Sequence, residues 1–107
     1  MEDTIIVLCT CPDKCVGENI ARLLVEKRLA ACVNLIPDVT SVYRWKDEVV
    51  TDQEVQLLIK TSKPMFTDIQ QLIRQQHPYE LPEIIAVRLD EGFPQYLEWI
   101  AREVQKP

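Results

Sequence analysis

Residues 31–61 constrain this chain more than any other stretch, because they read as two long strands folded back on each other. Val33, Leu35, Val39, Tyr43 and Trp45 fall on odd positions, and Val49, Val55, Leu57 and Ile59 repeat the pattern on the return. Side chains alternate across a strand, so a period of two marks one buried face. The even positions carry Asn34, Asp38, Thr40, Arg44, Asp52, Glu54, Gln56 and Lys60, with Ile36, Val42 and Leu58 among them. Pro37 has no amide to donate, which puts an edge or a bulge at that point. The reversal falls at Lys46 and Asp47. With no Gly there, the expected tip is looser than a two-residue turn.

Residues 4–10, TIIVLCT, form a continuous apolar run that suits a central strand buried on both faces. Pro12 and Asp13 end it and open a helix, whose inward positions are Val16, Ile20, Leu23, Leu24 and the stem of Lys27. Gly17 weakens that helix by about 1 kcal/mol relative to Ala, and nothing in the pattern explains its presence. After the hairpin, Ser62 is the expected cap of a second helix with Pro64 in its first turn and Met65, Ile69, Leu72 and Ile73 inward. Pro78 stops it, since the residue before proline avoids helical angles. Residues 77–84 then run extended, residues 83–89 read as the last main strand, and Gly92 breaks it. A terminal helix follows over 93–104, with Tyr96, Leu97, Ile100 and Val104 inward and Trp99 partly off that stripe.

The resulting order, strand–helix–strand–strand–helix–strand and a final helix, is an α+β, ferredoxin-like βαββαβ sandwich with a long hairpin. The expected strand order is fourth, first, third, second, with both main helices on one face. A length of 107 residues reads as a single domain over 1–107. The second sheet face stays uncovered, although residues 4–10 are apolar on both sides and Ile36, Val42 and Leu58 add to it. A symmetric oligomer is therefore expected, held by sheet-face packing and edge pairing.

Charge excludes one class of partner. With 12 basic against 17 acidic residues the net charge is −5, and no basic stripe exists for nucleic acid. No segment reaches the ~18 apolar residues of a membrane helix. Acidic residues near the start, in place of the basic ones of a signal peptide, place the chain in the cytoplasm. There, four cysteines are expected as thiols.

Cys9, Cys11 and Cys15 form a C-x-C-x3-C cluster at a strand-to-helix junction, with Cys9 and Cys11 on one side of the strand. Thiolates are soft donors that select Cu(I) or Zn, and a helix N-terminus favours thiolate. The same residues also suit small core positions. Cys32 reads as core. His77, the one histidine, is expected to be partly exposed at a helix end. It suits a metal ligand, a group titrating near neutrality, or a side chain facing the last helical carbonyls. Glu54 and Lys60 share a strand face, as an ion pair or as part of a polar pocket. Tyr43, Trp45 and Tyr79 suit packing or interface anchors. Two glycines supply no phosphate loop, and nothing argues for an enzyme.

The segments VLCTCPD (7–13), RLAACVNLIP (28–37), SVYRWKDEV (41–49), EVQLLIKT (54–61), HPYELPEI (77–84) and YLEWI (96–100) together resemble the CutA family of divalent-cation tolerance proteins. They occur in that family's order and cover nearly the whole chain. The resemblance implies a ferredoxin-like fold and a tight homotrimer, with hairpins extending across subunits. It also implies a role in copper and other divalent-cation tolerance without catalysis. No cofactor is certain; copper or another divalent cation is the implied ligand. A cysteine at the position of Cys9 is linked to copper in some members, and His77 stands at the histidine of the family's HPY motif. Cys11 is the next candidate ligand, and Cys11 and Cys15 are thiols the pattern does not require. Tyr43, Trp45, Glu54, Lys60, Tyr79 and Glu83 match positions near the cleft between subunits. The family's likeness to PII-type trimeric signalling proteins implies a second reading, in which a small anionic ligand between subunits touches Lys60, Tyr79 and Trp45. A third is a purely structural trimer that anchors other proteins. The chain departs from the family pattern at Lys46, Asp47 and Glu48, where a Gly is usual, and at Gln76, where some members carry a tandem histidine.

Overall fold

A computed structural model describes residues 3–107. The elements run β1 (Thr4–Cys11), α1 (Lys14–Glu26), β2 (Cys32–Trp45), β3 (Glu48–Ser62), a 3-10 turn (Lys63–Met65), α2 (Phe66–Gln76), β4 (Ile85–Arg88) and α3 (Pro94–Glu103). The four strands form one antiparallel sheet in the order β2-β3-β1-β4, as the ferredoxin-like reading requires.

Alternation builds the core. The odd residues of β1 and of β3 from Val55 onward, among them Val7, Cys9, Leu57 and Ile59, are buried beneath α1 and α2, which supply Ile20, Leu24, Ile69 and Ile73. Asp13 caps α1 by accepting the amide of Val16 at 2.9 Å. Gly17 has its explanation here: a Cβ at that position would lie 3.3 Å from Leu35 Cδ2 and 3.4 Å from Leu57 Cδ2, so its absence lets α1 sit close on the sheet. The expected cap at Ser62 is displaced. Ser62 precedes the 3-10 turn and makes no side-chain capping bond, and Met65 takes the N-cap position of α2. The last strand is shorter than its apolar run, because β4 pairs with β1 only from Ile85 to Arg88.

The hairpin departs from plain alternation. Ile36 pairs with Gln56, but Val39 pairs with Glu54, so a bulge at Pro37 and Asp38 inserts one residue into β2. Asp38 takes a positive φ of 60° there. The insertion reverses the parity of the strand. Val33 and Leu35 face the helices opposite Ile59 and Leu57, whereas Tyr43 and Trp45 lie opposite Val50 and Glu48 on the other face. The single odd-numbered stripe expected from Val33 to Trp45 is therefore split in two. The tip is also tighter than expected: Trp45 pairs with Glu48, and Lys46 and Asp47 turn the chain with φ of 48° and 67°.

The second sheet face is only partly covered. Ile6 and Leu8 stand beside Val87 and Ile85, which are each 51% exposed, and Ile36 is exposed nearby. α3 packs on β3 and β1, burying Leu97 and Ile100, while Tyr96 stays exposed and stacks on Trp99. Lys60, an even-face residue of β3, donates to the Tyr96 hydroxyl at 3.3 Å and so marks the face on which α3 lies.

Candidate functional site

Two sites meet at the end of β1. The first is a cluster of Cys9, Cys11 and His77, all buried, whose ligating atoms lie within 4.8 Å of one another. β1 supplies both sulfurs from one side, as alternation dictates. The histidine arrives from the end of α2. Pro78 forces His77 out of the helix to ψ 134°, while its amide still bonds the Ile73 carbonyl at 2.8 Å.

His77 was expected to be partly exposed, yet it is only 7% exposed. The main chain explains this. Its Nε2 meets the Thr10 carbonyl at 2.7 Å, and its Nδ1 accepts the Tyr79 amide at 3.1 Å. A carbonyl only accepts and an amide only donates, so the ring is the Nε2–H tautomer with its one in-plane lone pair engaged. The imidazole clasps β1 to the 77–79 turn, and the Tyr79 ring packs 4.6 Å from it.

The thiols divide their roles. The Cys9 thiol donates to the Thr10 carbonyl at 3.9 Å, and the neighbouring Cys11 sulfur, then burial, push it far above the ordinary thiol range. The adjoining Cys9 thiol pulls Cys11 below that range against the opposing effect of burial. The pair offers two soft sulfur donors side by side. Cys15 is exposed on α1, outside the cluster, and Cys32 is half-buried.

The second site is a cleft of about 480 Å³ beside the cluster. Tyr43, Trp45, Glu54, Tyr79 and Glu83 all line it, and Thr10 forms the shared wall. Glu54 is 94% buried by its 6% exposure and accepts the Tyr79 hydroxyl at 2.7 Å. Burial first, then that bond, raises the Tyr79 phenol above its usual range. Tyr43 donates to Asp52, which raises its own phenol. Glu83 Oε1 is shut off from solvent and, among the described residues, is the buried side-chain polar atom without a partner. Both glutamates oppose ionisation of Cys9, so their field reaches the thiols.

Lys60 is not brought here. Its ammonium lies 5.5 Å over the Tyr96 ring on the α3 side, and the Glu54–Lys60 pairing does not form. The sequence reading missed Thr10, whose contribution is a backbone carbonyl with no signature in residue type. It also missed Tyr96 as the partner of Lys60, a contact between elements distant in the chain.

The family described as CutA1 divalent ion tolerance protein matches residues 5–103. A Thermus thermophilus divalent-cation tolerance protein CutA is 48% identical over 95 residues, covering 89% of this chain and 92% of that protein. Protein CutA of Mus musculus is 48% identical over 91 residues, covering 85% of this chain but 51% of its own length, so the chain spans about half of that relative. The solved structure of the Thermus thermophilus protein, described as divalent cation tolerance protein (Cut A1), superposes with a TM-score of 0.93 at 45% identity, over 95% of this chain and 99% of the other.

Proposed function

Because the chain belongs to the CutA1 divalent ion tolerance protein family, we propose that it serves divalent-cation tolerance as a single-domain, non-catalytic, metal-binding homotrimer. Copper, in its cuprous form, is the cargo. The observation that carries this reading is the convergence of two sulfurs and one imidazole within 4.8 Å. That donor set is soft, and soft donors select Cu(I) over the hard cations. Cys9 and Cys11 would supply the two sulfurs, each giving up its proton on binding. His77 completes the set only by giving up the Tyr79 amide, so loading would loosen the 77–79 turn. The four thiols, none of them in a disulfide, support a reducing compartment, the cytoplasm. No helix among the described residues is long and apolar enough to cross a membrane.

Assembly is supported by the apolar patch at Ile85, Val87 and Ile36 and by the outer edge of β2, which pairs only with β3 in this chain. Such a trimer also suits an anchoring role for other proteins. Light scattering on the reduced protein should return three times 12.4 kDa. A monomer at micromolar concentration overturns the assembly. On the same sample, titration calorimetry with Cu(I) should show one site per chain. Cys9→Ser/Cys11→Ser should abolish it and His77→Gln weaken it without loss of assembly. Unchanged binding in the double variant refutes the ligand assignment.

The cleft favours a second reading, a signalling module of the PII type whose ligand sits between subunits beside Tyr43, Trp45 and Tyr79. Binding there would raise the thermal midpoint of the trimer, and a ligand screen by thermal shift tests it.

A further inference from the structure

The cleft beside β1 carries a chemistry distinct from the thiol cluster. Its aromatic side chains are Tyr43, Trp45 and Tyr79, and its acids are Glu54, Glu80 and Glu83. Arg44 is the one basic residue on its wall. Among the described residues, Arg44 is not ion-paired to Glu54 or Glu83. The ion pairs among the described residues, Lys14–Glu18, Arg28–Glu103 and Lys106–Asp68, leave Glu54 and Glu83 out. Glu54 is nine-tenths buried with the Tyr79 hydroxyl as its bond, and Glu83 has one oxygen walled in and unbonded. Two carboxylates on one aromatic-walled cleft offer a cation both charge and hydrogen-bond acceptors.

We infer that this cleft binds a small organic cation, a protonated amine with an apolar body. The carboxylates of Glu54 and Glu83 neutralise the ammonium, and Trp45, Tyr43 and Tyr79 surround its body and present π faces to its charge. The volume of about 480 Å³ admits a ligand of this kind. A bare divalent ion fits less well. Hard cations take six or more oxygen ligands, and among the described residues the group placed to hold a metal is Cys9, Cys11 and His77, not the cleft acids. An anion is disfavoured by the three carboxylates on the wall, Glu54, Glu80 and Glu83.

Trp45 and Trp99 are the two tryptophans, so Trp99→Phe leaves Trp45 as the reporter in the cleft. The assembled Trp99→Phe protein is titrated with phenethylammonium, with 3-phenylpropionate as an anion of similar size, and with Mg²⁺. Phenethylammonium should shift Trp45 emission saturably, and the other two should not. Glu83→Gln, which keeps the shape and removes the charge, should weaken amine binding at least tenfold, with Glu54→Gln alike and Lys60→Ala without effect. Cys9→Ser/Cys11→Ser should leave amine binding intact, which separates failure of this proposal from failure of the copper site. Binding of the carboxylate or of Mg²⁺ in place of the amine, no saturable binding of the amine, or unchanged affinity in Glu83→Gln overturns it.

Discussion

The two halves of the long hairpin share the same strands and have opposite fates. The inner half, where Cys32 to Ile36 pair with Lys60 to Gln56, lies under α1, and Leu57 and Ile59 there are fully buried. The outer half, where Val39 to Trp45 pair with Glu54 to Glu48, projects beyond the helices, with Val42 and Val49 about two-thirds exposed at 65% and 67%. Between them lies one inserted residue. The inner half stabilises the fold; the outer half, its faces exchanged by the bulge, places Tyr43 and Trp45 in the cleft. A single bulge thus lets one continuous pair of strands serve two purposes.

Deleting Asp38 should break this division most completely. Restored alternation would carry Tyr43 and Trp45 to the face of Val33 and Leu35. The Tyr43–Asp52 bond and the Trp45 response to phenethylammonium should disappear, while far-UV circular dichroism retains the helices. A Trp45 response that survives would show that the cleft does not depend on the bulge. Next in size, Leu57→Ala should lower unfolding free energy in urea by about 2–5 kcal/mol, against less than about 0.5 kcal/mol for Val49→Ala on the exposed half. A similar loss at both sites would mean that the outer half is buried by another copy of the chain. Gly17→Leu should cost about 1–3 kcal/mol by overpacking Leu35 and Leu57, and a thermal midpoint unchanged by it would deny the close approach of α1. The smallest effect should come at the tip. Lys46→Asn/Asp47→Gly places residues that accept positive φ where both native ones are strained, and should stabilise the protein by ~1 kcal/mol. An unchanged midpoint would mean that the tip carries little strain.

The thiol cluster and the cleft differ in how far residue type announced them. Cys9 and Cys11 lie two apart on a strand, so their common side follows from alternation alone. The approach of His77 does not. It depends on where α2 ends over β1, and its burial depends on the Thr10 carbonyl and the Tyr79 amide, main-chain groups that every sequence contains. The cleft residues Tyr43, Trp45, Glu54, Tyr79 and Glu83 were grouped by resemblance, and the structure brings them to one wall. Lys60, grouped with them, lies by Tyr96 because even positions of β3 near Ser62 face α3.

Local pattern determined the order of elements and the buried odd face of β1 and inner β3, and the ferredoxin-like motif that this order matches gave the β2-β3-β1-β4 arrangement. The order and the buried face follow from hydrophobic period and chain reversal, which are properties of neighbouring residues. Tertiary structure alone decided the parity of outer β2, the tight tip without glycine, the vacancy of Cβ at Gly17 and the meeting of a histidine with two thiols. Each of those depends on the pairing register or on the distance between elements far apart in the chain, and no periodicity within one segment encodes either.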